Sequence, residues 1–219
     1  MTPPVAFPAF YPILDSALLT TRAIHIEAAA DALLLAGVGI LQYRHKGNFT
    51  DNTLEYLRQL QRQCELQGVV FVINDRADIA ALVGCGVHVG QHDLTPTDAR
   101  RVAGSKACVG FSTHNHQQLA AGDSEPVDYL AIGPIYGTAS KQNPDPVVGT
   151  DALASLRALT QKPLVAIGGI TLENAPRVFA QGVDSVALIS GFLPASGDPR
   201  DMEKLAREWV SLTAEYRKA

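Results

Sequence analysis

The chain has 219 residues, of which 47% are apolar and 18% charged, and it carries a formal net charge of −4 with an isoelectric point near 5.8. This composition excludes intrinsic disorder and low complexity, and the length predicts one domain or at most two. The mildly acidic balance argues against a surface for nucleic acid or anionic membrane, although it is compatible with one local phosphate site.

The cysteines and the first residues indicate the compartment. Cys64, Cys85 and Cys108 occur at spacings that match no metal motif, which is typical of reduced thiols in a cytoplasmic protein. The first residues lack the basic region and apolar core of a signal peptide, and no window reaches the roughly 18 apolar residues of a membrane span. We therefore expect a soluble, cytoplasmic protein without nucleic-acid or membrane partners.

Short apolar runs rich in β-branched residues recur along the chain, each followed by a polar or glycine-containing turn. Continuous apolarity, rather than alternation, is expected of parallel strands that are covered on both faces. The predicted strands are Phe10–Asp15, Gly39–His45, Val69–Asp75, Gly86–Gly90, Ala107–Thr113, Asp128–Pro134, Pro163–Ile170 and Ser185–Gly191.

Amphipathic segments lie between these runs and are predicted to be helices. Gly37, Gly68 and Gly182 stand where helices are expected to end in a left-handed residue, and Thr95-Pro96 is a cap followed by proline at the first helical position. The predicted helices are Ala23–Ala36, Thr50–Gln67, Thr95–Val102, Asp151–Leu159, Thr171–Ala180 and Asp201–Tyr216, with weaker helical stretches after Arg76 and His116.

The alternation of these elements predicts the fold. Eight βα units of roughly 25 residues each match an α/β protein with a compact (β/α)8 TIM barrel. A doubly wound open sheet is the alternative, since it shares the alternation but usually has fewer strands. No linker is visible, so we expect a single domain over residues 1–219 with a C-terminal helix at about 201–216. The long polar stretch Gly137–Gly149 would follow the sixth strand.

Two carboxylates follow neighbouring predicted strands. Asp75 ends the third strand and Asp93 follows the fourth, and neighbouring strands lie about 4.8 Å apart. Converging carboxylates either share a proton or hold a hard cation. Since no thiolate or histidine pair accompanies them, Mg²⁺ is the favoured ion. The structural alternative is that Asp75 pairs with Arg76 or caps the next helix.

Polar residues alternate along the second strand. Gln42, Arg44 and Lys46 lie on one face because the side-chain period of a strand is two. A buried, unpaired cation is costly, so these residues favour a polyanionic ligand such as a diphosphate, with arginine as the bidentate group. The alternative is an ion pair from this strand to Asp75 or Asp15.

The last two strands end in small residues. Gly168-Gly169 and Ser190-Gly191 occupy the frequent phosphate position of TIM barrels, where backbone N–H groups meet an anion. The alternative is a pair of tight turns without a ligand. The histidines are less informative: His114 is either a proton shuttle or a backbone-bonded loop residue, and His88 and His92 are predicted to be structural.

Seven strings in order resemble the thiamine phosphate synthase family: GILQYRHKG, FVINDRADIA, GVHVGQHDL, VGFSTHN, YLAIGPIYGTASK, VAIGGI and VALISG. The resemblance covers roughly Tyr11 to Gly191, with the motifs at strand ends. It implies a TIM-barrel transferase of thiamine biosynthesis. Such an enzyme joins 4-amino-2-methyl-5-(diphosphooxymethyl)pyrimidine to hydroxyethylthiazole phosphate and yields thiamine phosphate and diphosphate.

The resemblance also implies a role for individual residues. It assigns Mg²⁺ to Asp75 and Asp93. It assigns the pyrimidine diphosphate to Gln42, Tyr43, Arg44, His45, Lys46, Asn74, Ser112 and Lys141. It assigns the thiazole phosphate to Thr138, Ala139, Ser140, Gly169, Ile189 and Ser190. Catalytic roles are implied for four of these residues, namely Arg44, Lys46, Ser112 and Lys141.

The implied mechanism is dissociative. The C–O bond to diphosphate breaks first, and the thiazole nitrogen then captures the pyrimidine methyl cation. Tyr43, His45, Gly137 and Ser140 depart from the family pattern, which bears on substrate affinity more than on reaction type. One alternative is a thiazole tautomerase of the same barrel family, which lacks the second aspartate and relies on a histidine near His114. Another is a noncatalytic barrel that binds thiamine precursors. The sequence leaves open whether the chain forms a homo-oligomer.

Overall fold

The protein is represented by a computed structural model that describes residues 7–137 and 145–216. Within these ranges, eight parallel strands close into a barrel in the order β1 to β8, and β8 pairs with β1. The prediction of a (β/α)8 TIM barrel is therefore confirmed. The strands are β1 (Phe10–Asp15), β2 (Ile40–Arg44), β3 (Val70–Asn74), β4 (Gly86–Val89), β5 (Val109–Thr113), β6 (Tyr129–Ile132), β7 (Leu164–Ile167) and β8 (Ser185–Leu188).

Helices follow the strands and cover the outside of the barrel. They are α1 (Ser16–Thr21), α2 (Ile26–Ala36), α3 (Asp51–Leu66), α4 (Ala77–Val83), α5 (Pro96–Ala103), α6 (His116–Asp123), α7 (Leu153–Arg157), α8 (Ala175–Phe179) and α9 (Pro199–Ala214). Gly37, Gly68 and Gly182 have φ angles of 83°, 68° and 89°, as a left-handed stop requires. No helix in the described ranges is long and apolar enough to cross a membrane.

Several elements differ from the sequence prediction, and the differences at α1 and α2 have a clear local cause. Helix α1 was not predicted; it begins because the Asp15 carboxylate at the end of β1 accepts the Leu18 N–H at 2.9 Å and caps the turn. Helix α2 begins at Ile26 instead of Ala23, because Ala23 has a φ of 54° and cannot continue a right-handed helix. Most predicted strands are longer than the observed ones, since their glycine and polar ends leave the barrel hydrogen-bond pattern.

The core has two layers. The outer layer lies between the strands and the helices and contains fully buried side chains such as Trp209 on α9 and Leu57 on α3. The inner layer fills the barrel lumen with alternate strand residues: Tyr11, Ile13, Ile40, Val72, Tyr129, Ala131, Val165 and Ala187. The filled lumen restricts ligand access to the carboxyl ends of the strands and the loops after them, here called the mouth.

Candidate active site

The mouth brings Arg44 and Asp15 together. The two residues are register partners on β2 and β1, and the Arg44 guanidinium forms an ion pair with the Asp15 carboxylate. The side chain of Arg44 is 20% exposed, so its remaining N–H groups border the mouth. The ion pair that the sequence offered as the alternative for Arg44 is therefore formed, within reach of a ligand at the same place.

Lys46 and Asp75 form a second ion pair at the mouth. Asp75 has a φ of 64°, an unusual conformation for a residue other than glycine, and its N–H donates to the His88 carbonyl at 2.7 Å. Backbone outliers of this kind concentrate at functional sites. The structural alternative for Asp75 is wrong, because Arg76 pairs with Asp78 and no side chain caps α4.

Asp93 lies beside Asp75. Its Oδ2 accepts the Gly90 N–H at 2.8 Å, which holds the carboxylate at the loop after β4. The pKa of Asp93 is raised, first by partial desolvation and then by the neighbouring Asp75 carboxylate, while the Lys46 ammonium opposes the shift. A divalent cation would relieve this repulsion between carboxylates.

The donor set fits a magnesium ion. Across residues 7–137 and 145–216, no cluster of three or more His, Cys, Asp or Glu side chains could hold a metal. Mg²⁺ in enzymes is usually held by only one or two carboxylates, and water and substrate phosphate oxygens complete its coordination. Asp75 and Asp93 supply this number of oxygen ligands.

Asn74 adds an unused donor next to this pair. The residue is 8% exposed and pairs in register with His88 on β4. Its Nδ2 is buried and, within the part of the chain that the structure describes, has no hydrogen-bond partner. A buried donor without a partner costs about 1–3 kcal/mol, and a ligand acceptor at this position would remove that cost.

Ser112 and Gln42 are joined through the lumen by a chain of hydrogen bonds that the sequence did not reveal. The Gln42 amide donates to the Tyr11 hydroxyl at 2.8 Å, and the Tyr11 and Tyr129 hydroxyls lie 2.7 Å apart. His88 Nδ1 lies 2.9 Å from the Tyr129 hydroxyl and His88 Nε2 lies 2.8 Å from Ser112 Oγ. The prediction that His88 is structural agrees with these contacts. Inward alternation in β1 and β6 is the sequence signal that could have identified the two tyrosines.

The structure does not bring the Tyr43 and His45 side chains to this inward face. Tyr43 is 4% exposed and belongs to the outer layer, where its ring packs 6.4 Å from that of Phe49. His45 Nδ1 lies 2.7 Å from the Ser16 hydroxyl. Alternation along β2 explains the separation, because Gln42 and Arg44 point inward and the residues between and after them point outward.

The end of β7 packs closely on the loop after β6. Gly168 and Gly169 have φ angles of 106° and 64°. A Cβ atom on Gly169 would lie 2.7 Å from the Gly137 carbonyl oxygen, so this contact alone requires glycine. After β8, Ile189 packs against the lumen layer and Ser190 is exposed, with its carbonyl accepting the Leu193 N–H at 3.0 Å.

The remaining predicted residues follow β6 and β5 in the sequence. Thr138, Ala139, Ser140 and Lys141 lie outside the described residues. The His114 Nδ1–H donates to the Gly133 carbonyl at 2.7 Å, and the same nitrogen lies 3.5 Å from an Asp145 carboxylate oxygen. His114 is therefore backbone-bonded, as one of its two interpretations proposed.

Comparisons with known proteins show the family of this chain. The thiamine monophosphate synthase family model matches residues 10–192. A thiamine-phosphate synthase from Koribacter versatilis is 52% identical over 172 residues, which cover 78% of this chain and 80% of the relative. A thiamine-phosphate synthase from Laribacter hongkongensis is 44% identical over 170 residues, which cover 77% of this chain and 80% of the relative. The solved structure of a thiamine phosphate pyrophosphorylase from Pyrococcus furiosus superposes with a TM-score of 0.81 at 27% identity, covering 95% of this chain and 96% of that one.

Proposed function

This chain belongs to the thiamine monophosphate synthase family and is a transferase that forms thiamine phosphate, and we propose that the reaction takes place at the mouth of its barrel. The observation that carries this location is the convergence of Asp75, after β3, and Asp93, after β4, beside Lys46, which comes two residues after Arg44. Two carboxylates and two cations at one place suit a diphosphate that arrives with a divalent cation. The relatives named above are synthases, and none of these names supports the tautomerase alternative.

The substrates are a pyrimidine diphosphate and a thiazole phosphate, with diphosphate as the leaving group. Negative charge grows on the diphosphate as its C–O bond breaks, so cations placed beforehand at the mouth stabilise the transition state more than the ground state. Arg44 offers its guanidinium fork to the phosphate oxygens, and Lys46 offers a compact charge. Their carboxylate partners Asp15 and Asp75 hold both side chains in this region.

Asp75 and Asp93 would hold Mg²⁺, which when bound neutralises charge on the diphosphate. The Asn74 amide donates a hydrogen bond to the pyrimidine diphosphate. Ser112 and Gln42 bind the same substrate from the lumen side. Gly169, Ile189 and Ser190 bind the thiazole phosphate, together with Thr138, Ala139 and Ser140. Lys141 is assigned to the diphosphate. The assignments of Tyr43 and His45 concern their backbone, since their side chains point outward.

Proximity provides the second part of the rate enhancement. The pyrimidine methyl cation must meet the thiazole nitrogen before water reaches it, so the thiazole is bound over the same mouth. Strand ends β7 and β8 supply the thiazole phosphate site, and β2 to β5 supply the diphosphate site. No protein group has to remove a proton in this step, which agrees with a His114 ring that is bonded to the backbone.

The cytoplasm is the proposed compartment. All three cysteines, Cys64, Cys85 and Cys108, are free thiols, and a reducing environment keeps them so. The net charge of −4 does not favour a polyanionic macromolecule as partner. We therefore propose that the mouth binds small-molecule substrates, and that neither nucleic acid nor a membrane is a partner.

The proposed function is tested by incubating the purified protein with Mg²⁺ and both substrates and identifying the products by chromatography. Thiamine phosphate and diphosphate are expected in equal amounts. Interconversion of thiazole tautomers without thiamine phosphate would favour the tautomerase. Binding of both substrates without any conversion would favour a noncatalytic barrel.

A further inference from the structure

The hydrogen-bonded chain across the lumen, here called the lumen chain, consists of Gln42, Tyr11, Tyr129, His88 and Ser112. Its members come from β2, β1, β6, β4 and β5, so it joins opposite sides of the barrel. Tyr11 is 1% exposed and Tyr129 is 0% exposed, and their hydroxyl groups lie beneath the mouth. Buried hydroxyls must find partners, so the position of each proton is constrained.

The available protons fix the direction in which the hydrogen bonds of the lumen chain run, from donor to acceptor. Gln42 faces Tyr11 with its amide nitrogen, which can only donate, so the Tyr11 oxygen is the acceptor there. Among the described residues, the Tyr129 oxygen is then the acceptor for the Tyr11 hydroxyl proton. The Tyr129 hydroxyl must therefore donate its hydrogen bond to His88 Nδ1.

The direction continues through the imidazole. A neutral histidine whose Nδ1 accepts a hydrogen bond carries its proton on Nε2. The Nε2–H then donates to Ser112 Oγ at 2.8 Å. Because the Ser112 oxygen already accepts this bond, its own hydroxyl proton is available to a ligand at the mouth. The reverse direction would make Ser112 donate to His88 and leave only its lone pair for a ligand.

A glycine makes this arrangement sterically feasible. Gly110 lies inward on β5, in register with Tyr129 on β6 and His88 on β4. A Cβ atom at this position would overlap the Tyr129 ring and lie 2.5 Å from His88 Nδ1. The backbone of β5 thus leaves open the space in which the tyrosine and the histidine meet. The two rings are stacked, with centroids 5.5 Å apart.

We propose that Tyr11, Tyr129 and His88 are positioning residues, which hold the His88 ring in its Nε2–H form and present the Ser112 hydroxyl as a hydrogen-bond donor to the pyrimidine diphosphate. The part that concerns the ligand rests on the proposed function. The direction of the lumen chain does not, since it follows from hydrogen bonds within the protein alone. Gln42 sets that direction from the far end of the chain.

The direction is tested by ¹⁵N NMR of the wild-type protein labelled at histidine, with the His88 signals assigned from the variant His88→Gln. The ring-nitrogen shifts distinguish a protonated from an unprotonated nitrogen. An unprotonated Nδ1 with a protonated Nε2 is expected. A protonated Nδ1 would overturn the proposal, and this outcome is independent of whether the protein has any enzymatic activity.

The positioning role is tested kinetically with Tyr129→Phe, which removes one hydroxyl from the middle of the chain. The kcat/KM for the pyrimidine diphosphate should fall about 10-fold, as expected for the loss of an orienting hydrogen bond, while the KM for the thiazole phosphate stays the same. The matched control is Tyr56→Phe on α3, whose half-buried hydroxyl lies outside the barrel. It should leave both parameters unchanged.

Unchanged kcat/KM in Tyr129→Phe would overturn the positioning role. If that variant does not fold, Tyr11→Phe provides the same test, because it removes the proton that directs Tyr129 toward His88. In either variant the His88 ring should lose its single tautomer, which a merely structural role would not change. Absence of product from the wild-type enzyme would instead contradict the proposed function, and it would be seen before any variant is compared.

Discussion

Asp15 and Arg44 are register partners at the ends of β1 and β2, and their side chains form an ion pair at the mouth. The second carboxylate oxygen of Asp15 accepts the Leu18 N–H and so fixes the start of α1. Arg44 is therefore oriented by a carboxylate that cannot rotate freely. Preorganised charge of this kind contributes to transition-state stabilisation without reorganisation during the reaction.

Arg44→Lys tests the value of that orientation. Lysine keeps the charge but cannot make a bidentate contact with phosphate, so we expect kcat/KM for the pyrimidine diphosphate to fall about 10- to 100-fold. Steady-state kinetics measure the change. The control Arg200→Lys, at a side chain that is 87% exposed on α9, should behave like the wild type. Full activity of Arg44→Lys would mean that the guanidinium fork does not contact the diphosphate.

Asp93→Asn separates metal binding from folding. We expect the affinity for Mg²⁺ and the turnover to fall by about two orders of magnitude or more, because one of two anionic ligands is lost. The metal-free variant should melt no lower than the wild type at pH 7. The raised pKa of Asp93 means that its ionised form opposes folding as the pH rises, and asparagine removes this effect.

Calorimetric Mg²⁺ titration and thermal melts check both parts, and Asp31→Asn on the exposed side of α2 is the control. The same pKa shift predicts that Mg²⁺ binding weakens on acidification at a higher pH than for an ordinary carboxylate, since protons compete for Asp93. Equal losses of stability and turnover would make Asp93 a structural residue instead.

Gly110→Ala should destabilise the barrel. The added Cβ would meet the Tyr129 ring and His88 in a filled lumen, and overpacking of this kind costs about 1–3 kcal/mol. Gly137→Ala is the matched control, because a Cβ at that glycine meets no atom of the described residues within 4 Å. Urea unfolding followed by circular dichroism measures both variants. Equal stability of the two would show that Tyr129 can move aside without cost.

The three thiols predict a loss of stability at alkaline pH. Burial raises the pKa of Cys64, Cys85 and Cys108 to about 12 in the native protein. Unfolded thiols ionise near pH 8.5, so above that pH the unfolded state binds fewer protons and stability falls, by up to about 1.4 kcal/mol per pH unit for each group. Urea unfolding at pH 8 and pH 10 tests this, and Cys64→Ala should reduce the difference. Equal stability at both pH values would contradict the raised pKa values of the three thiols.

The fold followed closely from the sequence because parallel strands that are covered on both faces read as continuous apolar runs. Helix α1 escaped prediction because its cap, Asp15, also reads as the last residue of β1. The mouth residues Asp75 and Asp93 could be paired from strand order alone. The ion pair between Arg44 and Asp15 was one of two open interpretations, since choosing between them requires the register of β1 on β2.

The lumen chain lay beyond sequence reasoning for a different reason. Tyr11 and Tyr129 are 118 residues apart, and each alone reads as an ordinary aromatic residue of a buried strand. Their contact depends on barrel closure, on the inward face of β1 and β6, and on the space above Gly110. Alternation along β1 and β6 can indicate which residues face inward. Barrel closure and the space above Gly110 are not visible in a local pattern, because they combine elements that are distant in the chain.

We propose that diphosphate is displaced at the mouth, beside Asp75, Asp93 and the neighbouring cations Arg44 and Lys46. The most direct measurement quantifies thiamine phosphate and diphosphate from the wild type and Asp93→Asn, with Mg²⁺ and with a chelator. We predict equal amounts of both products from the wild type with Mg²⁺, and at least about 100-fold less without the metal or without the Asp93 carboxylate. Undiminished product formation by Asp93→Asn, or no thiamine phosphate from the wild type, would contradict the claim.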